Sequence, residues 1–175
     1  MKSITEHLST YATYHRDRRN IATHFVGIPT IYVASVALLS RPVLAVVGGV
    51  AVSPATIVAA GVIAFYLSLE RRFGAVMSLL TVLSLWAGAG IASLGTAAWL
   101  ATSLGLFVFG WVFQLVGHHY EGRKPAFVDD LIGLLVGPLF VVAEVAFALG
   151  LRSELRAAIE EVAGPTRGAS EPKRA

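Results

Sequence analysis

The chain contains no cysteine. Disulfides, zinc–thiolate sites, iron–sulfur clusters and thiol nucleophiles are therefore excluded, and a metal would have to be held by His, Asp, Glu or backbone oxygen. Charge is the second scarcity. Only 14% of the 175 residues are charged, where a soluble domain carries about 25%. The shortage is uneven: no Asp, Glu, Lys or Arg occurs from Phe73 to Tyr120, a run of 48 residues, and Arg41 is the one charge between Asn20 and Leu69. A helix needs about 20 apolar residues to cross a bilayer, and several such stretches are present. This pattern excludes an ordinary soluble enzyme and a disordered chain. The net charge is only +3, and without a basic stripe interleaved with aromatics nucleic acid is not an expected partner. The first 20 residues lack the apolar core of a cleavable signal peptide.

What is present reads as an all-α polytopic membrane helix bundle. About four to five transmembrane or half-spanning helices follow an N-terminal amphipathic helix. Ile4, Leu8, Tyr11 and Ala12 are spaced for a short surface helix over Ser3–Arg19, and Ser3 with Glu6 fits a capping box. Apolar segments follow at Ile21–Ser40, Pro54–Leu69, Phe73–Leu94, Ala97–Gly117 and Leu131–Leu151. Val43–Val52 is expected to be a partial span or loop. Gly137-Pro138 should break the fifth segment, and Arg152–Ala163 should form a short amphipathic helix. Residues 1–164 are read as a single membrane domain and residues 165–175 as a disordered tail. Gly48-Gly49 and Ala87–Gly90 read as helix-packing surfaces, and Asp129-Asp130 as helix-capping acids.

Lys and Arg in short loops set orientation. They put the N-terminus, the Glu70 loop and the His118 block on one side, read as cytoplasmic. Five more cationic residues at the C-terminal end belong there too, which one simple crossing by the fifth segment would not allow. That segment is therefore expected to dip in and return, or to be a pair of half-helices. Eleven Arg against three Lys, with abundant Ala, suggests a bacterial source, hence an inner membrane with the site at its cytoplasmic face.

This orientation gathers imidazoles. His15 and His24 lie in YHRDRRNIATH, and His118 and His119 in QLVGHHYEGRKP. His15 and His24 are nine residues apart, about 900° along a helix, so they converge only if the helix breaks between them near Arg18–Asn20. Gln114, His118 and Glu121 share one face at i, i+4 and i+7. Ionisable groups at membrane depth usually face a protein interior or a cavity. A metal site follows as one reading, with His15, His24 and His118 as ligands and His119 or Glu121 as a fourth; Glu121 could instead orient a His ring. Imidazole suits Zn, Cu, Fe and Ni, and open positions beside His and carboxylate suit Fe(II) and O2. A bland alternative is that these residues only sit comfortably at an interface. Arg19, Arg123 and Lys124 flank the clusters and would bind lipid headgroups or a substrate carboxylate. Glu144, inside the fifth segment, would pair with an Arg or line a polar cavity.

The segments Tyr14–Pro29, Gly110–Leu131 and Val136–Val145 resemble the Mpo-like family of membrane proteins, a likeness covering about Tyr11 to Gly150. The family's fungal member is an Fe(II)-dependent dioxygenase of 2-hydroxy fatty acids in fatty acid α-oxidation. The resemblance places His15, His24 and His118 at the family's histidine positions, and Asn20, Gln114, Glu121 and Pro125 at its accompanying positions. The His118–Glu121 spacing is one residue shorter than in the fungal pattern, and His119 has no matching position. The resemblance implies Fe(2+) as cofactor. A 2-hydroxy fatty acid and O2 would be the substrates, cleaved between C1 and C2 to an acid one carbon shorter, with Glu121, Asn20 and Gln114 assisting. Membrane lipids would surround the chain, and a homo-oligomer is compatible with it. Two other classes remain open: a non-catalytic lipid-binding scaffold, and a zinc-dependent membrane hydrolase. A transporter fits least, for want of recurring mid-membrane polar residues or an inverted repeat.

Overall fold

The computed structural model describes residues 2–125 and 131–168. It is 76% helical, all-α apart from one small hairpin. The elements are α1 (Ile4–Ala12), α2 (Arg18–Leu39), β1 (Ala45–Val47), β2 (Val50–Val52), α3 (Pro54–Leu69), α4 (Arg71–Ala92), α5 (Thr96–Glu121), α6 (Gly133–Ala148) and α7 (Ser153–Ala163). Three of them, α2, α4 and α5, are long and apolar enough to cross a membrane, and a fourth span arises if the bent pair α6–α7 counts as one.

Local chemistry sets most of the boundaries. Ser3 and Glu6 form the expected capping box on α1, each side chain satisfying a backbone N–H that a helix start leaves open. Asp17 caps α2 by accepting from Arg19 N at 2.9 Å. Ser53 and Thr56 cap α3, with Pro54 at the first helical position, where its missing N–H costs nothing. Glu70 ends α3 and begins α4, its carboxylate accepting from Phe73 N at 2.8 Å. A single capping residue thus turns the chain between two apolar helices.

Three expectations are corrected. Val43–Val52 is mostly an antiparallel β-hairpin, with Val47 opposite Val50. Gly48-Gly49 is its two-residue turn, not a helix-packing surface; both glycines have positive φ, at 58° and 81°, which such a turn requires. Gly137-Pro138 does not break the fifth segment, because α6 runs through it. Pro138 lies near the helix start and forfeits only the bond to the Leu134 carbonyl. Gly137 instead lets other chain approach: a Cβ there would meet Tyr11 Oη at 2.9 Å and Ile28 Cδ1 at 3.2 Å. The real break falls at Leu149–Arg152, where Gly150 and Arg152 have φ of 74° and 59° and the axis turns by 118°. The re-entrant or half-helix reading survives with its hinge moved.

The chain divides into two compact units. Pro29–Gly110 forms one. Here α3 packs on α4, Gly88 lets α4 lie against Val36 and Ala37, and Trp99 Nε1 donates to Ala37 O at 2.9 Å. Met1–Ile28 and Trp111–Ala175 form the other. In it α1 packs on α6 and α7, over a core of Leu8, Tyr11, Ala12, Leu139, Phe140, Ala143 and Ile159. Every histidine of the sequence lies in this unit. Asp129-Asp130 fall outside the described residues. So do residues 169–175 of the expected tail, but its start at residues 165–168 is described and meets the site.

Candidate metal centre

The chain reaches His15 by leaving α1 at Thr13 and entering α2 at Arg18. That is the helix break the nine-residue spacing called for. It lets His15 turn toward His24, nearly two turns into α2, while α5 brings His118 from its last turn. His15 and His24 are fully buried and His118 is 6% exposed. One ligand nitrogen from each of the three lies within 4.8 Å of the others. The ring centroids are 4.5 Å apart for His15–His24, 4.9 Å for His15–His118 and 5.1 Å for His24–His118, and each pair is close to edge-on.

Hydrogen bonds fix two of the rings. His15 Nδ1 lies 2.7 Å from Tyr11 O, and His24 Nδ1 lies 2.9 Å from Asn20 O. A carbonyl only accepts, so each Nδ1 carries the proton and each Nε2 is left as a bare lone pair. Those two Nε2 atoms stand 3.0 Å apart. Two lone pairs facing each other at that distance repel unless a cation or a shared proton sits between them. Burial, with His24 and His118 beside it, holds the His15 ring well below its usual pKa, which disfavours the shared proton and keeps the ring in the neutral form that binds metals. Tyr11 stacks flat on His15, centroids 4.0 Å apart, and Phe140 flanks both rings. The donor set therefore fits a divalent ion that accepts imidazole.

The proposed fourth ligands do not join this trio. His119 is exposed and lies edge-on to Tyr120; one residue past His118, it points about 100° round the helix. Glu121 is 3% exposed, but its carboxylate is occupied by the chain. Oε2 accepts from Arg16 N at 3.0 Å, Asp17 N at 2.8 Å and Asn20 Nδ2 at 3.0 Å. Oε1 accepts from Arg167 Nη2 at 2.6 Å. Glu121 thus ties α5 to the link that carries His15. Asn20 works in the same framework, its side-chain Nδ2 donating to Tyr14 O and Glu121 Oε2 and its backbone carbonyl accepting from His24 Nδ1. Gln114 is buried one turn before His118, and its Nε2 has no partner among the described residues.

The flanking cations are placed differently from one another. Arg19 is held by both oxygens of Asp17 and lies over the Tyr120 ring; these bonds pull the Asp17 carboxyl below its usual pKa. Arg123 donates to Thr13 O. Lys124 is exposed. Glu144 meets its expected arginine, Arg16, at 3.4 Å. Three participants were not singled out from sequence. Arg167 sat in a segment expected to be tail. Tyr11 read only as an apolar position. Gly117, however, adjoins His118 inside a helix: a Cβ there would collide with Thr23 Oγ1 and Asn20 Oδ1 and come within 3.2 Å of His24 Nδ1. A glycine beside a buried histidine was the available signal for a close helix crossing.

The sequence profile of the Mpo1-like family, described as 2-hydroxy-palmitic acid dioxygenase Mpo1-like, matches residues 1–149. The chain belongs to this family. It is also 28% identical to the 2-hydroxy-palmitic acid dioxygenase MPO1 of Saccharomyces cerevisiae over 159 residues, covering 90% of this chain and 87% of the yeast protein. No solved structure matches.

Proposed function

We propose that this chain is an Fe(II)-dependent membrane dioxygenase that cleaves 2-hydroxy fatty acids between C1 and C2. The observation that carries the proposal is the buried trio His15, His24 and His118, with two Nε2 lone pairs converging at 3.0 Å. Membership of a family of 2-hydroxy-palmitic acid dioxygenases supplies the reaction class. The three imidazoles would hold the ion, and the family assignment favours iron over zinc. Bound iron would supply redox chemistry with O2 and open positions for the substrate carboxylate and α-hydroxyl.

The residues of the chain have separate tasks in this reading. Tyr11 O and Asn20 O fix the tautomers of His15 and His24. Glu121 and Asn20 hold the helix ends that present the ligands, so they are positioning residues. Gln114 Nε2, a buried donor without a partner among the described residues, is assigned to a substrate oxygen. Arg19 and Arg123, at the polar end of the unit, would draw the carboxylate in, and the acyl chain would follow the apolar helices. With C1 leaving as carbon dioxide, one O2 takes the four electrons, and the products are the shortened acid, carbon dioxide and water.

The test is direct. Protein purified without oxygen and loaded with Fe(II) should convert 2-hydroxypalmitate to pentadecanoate only when O2 is admitted. Zinc in place of iron with O2-independent turnover would support the hydrolase instead, and absence of any bound metal would support the lipid-binding scaffold.

A further inference from the structure

At the link between His15 and α2, four backbone groups are satisfied by two distant residues, Glu121 and Arg167. Arg16 N and Asp17 N both donate to Glu121 Oε2. Arg16 O accepts from Arg167 N at 2.7 Å, and Arg18 N donates to Arg167 O at 3.1 Å. Arg167 runs parallel to Asp17 as a one-residue bridge, and its guanidinium holds Glu121. Its side chain is 11% exposed and that of Glu121 1%. Arg16 reinforces the same contact by donating from Nη1 to Gly164 O at 3.2 Å. Unsatisfied N–H groups at a helix start are costly when buried, so the start of α2 depends on a segment about 150 residues away in sequence.

We propose that residues 164–168 form a clasp that positions His15 for metal binding, with Arg167 as its positioning residue. Arg167 touches neither metal nor substrate. It fixes the His15–α2 link in two ways, through its own backbone and by orienting the Glu121 carboxylate. The clasp lies beyond the residues the family profile matches. The proposal rests on the metal-centre reading above and adds the element that assembles it. Opening of the clasp would release residues 16–18, let His15 swing from His24, and free the ion.

Groups that orient metal ligands from outside typically change affinity by 10–100-fold. Arg167 acts one step further out, so Arg167→Ala should lose Co(II) about 10-fold faster than wild type in a chelator challenge of the detergent-solubilised full chain. Arg167→Lys keeps the charge opposite Glu121 and should recover part of that loss. Arg156→Ala is the control, because it removes a neighbouring cation, ion-paired with Glu160 on α7 and close to Arg16 and Glu144, without removing a bond to Glu121 or to residues 16–18 among the described residues. Hydrogen exchange of the metal-free protein gives a second readout: amides of residues 16–18 should exchange faster in Arg167→Ala, with the α3–α4 amides unchanged. Wild-type protein that binds no Co(II) overturns the metal centre itself, whatever the exchange shows. Wild type that binds Co(II), with Arg167→Ala releasing it at the Arg156→Ala rate, overturns the clasp alone. A general loss of melting temperature that lysine does not recover also overturns it, because the arginine would then be merely structural.

Discussion

Gly117→Ala should disable the metal centre without touching a ligand. The added Cβ would overlap Thr23 Oγ1 and Asn20 Oδ1 and press on His24 Nδ1 at 3.2 Å. Carbon and oxygen need about 3.4 Å or more to sit without repulsion, so α5 must move from α2 by roughly 1 Å. Metal–ligand bonds tolerate about 0.2 Å, and His118 follows directly on residue 117, so the displacement passes into the ligand set. Overpacking of this kind costs about 1–3 kcal/mol. The better helix propensity of alanine returns about 1 kcal/mol of that, leaving a net loss of about 0–2 kcal/mol in stability. The metal should suffer more, with affinity falling about 100-fold, equivalent to about 2.7 kcal/mol. Gly105→Ala is the matched control on the same helix, where a Cβ meets nothing within 4 Å; it should be neutral or stabilising by up to about 1 kcal/mol. Metal titration and denaturant unfolding of both variants make the comparison. A Gly117→Ala protein with wild-type metal affinity would refute the claim that the α2–α5 crossing at this glycine sets the site.

Other expectations follow from the same geometry. His118→Ala should purify without stoichiometric iron and form no pentadecanoate from 2-hydroxypalmitate, while about one retained iron per chain by elemental analysis would contradict the ligand assignment. Glu121→Gln leaves one acceptor for four donors and strips Arg167 of its counter-charge, so unfolding free energy should drop by about 3 kcal/mol, the low end for breaking a buried pair; a loss under about 1 kcal/mol would show the carboxylate to be dispensable. Stripping metal with a chelator should lower the melting temperature, because an ion held at 100 times its Kd stabilises the folded state by about 2.7 kcal/mol. An unchanged transition would mean that the three histidines hold nothing.

The apolar segments were legible because bilayer length and charge-free runs are one-dimensional properties. Phe73–Tyr120 could be little else than two long helices with a minimal turn between them. The three histidines were legible for a related reason: the helix break between His15 and His24 and the end of an apolar run at His118 both sit where orientation gathers them. What sequence could not supply was direction around each axis. Spacing puts His118 on the face of Gln114 and Glu121 and His119 off it, but only the packing of α5 decides that the first face turns inward and His119 turns out. Glu121 read either as a fourth ligand, alongside His119, or as a group orienting a His ring, because a carboxylate near histidines is chemically apt for both tasks. In the structure two backbone N–H groups on a distant link, an amide and Arg167 hold its oxygens, partners that no local spacing reveals. The hairpin at Val43–Val52 and the intact α6 misled for a simpler reason. Hydropathy does not distinguish a short apolar strand from a partial helix, and a proline one turn into a helix breaks only one bond.

The site occupies the polar ends of two helices that are otherwise apolar, and this placement bears on why such a site would suit an amphiphilic acid. Asp17, Arg19, Asn20, Glu121 and Arg123 crowd the start of α2 and the end of α5, while from Ile21 onward α2 has no charge and α5 has none before Glu121. A carboxylate and its α-hydroxyl could be met by cations and by an ion within one turn of where the hydrocarbon tail must begin. Moving the trio two turns deeper would bury three polar rings and take His15 away from the Tyr11 carbonyl, at the end of α1, that receives its Nδ1 proton. Moving it outward would expose the lone pairs to water and to protonation. The break between α1 and α2 is therefore more than a way to bring His15 round to His24. It supplies the Tyr11 carbonyl on one side and the Asp17 cap on the other, and it creates the backbone groups that Glu121 and Arg167 must hold. One interruption in an otherwise helical chain accounts for the ligand geometry, for the buried ion pair behind it, and for the reach of the C-terminal segment to the site.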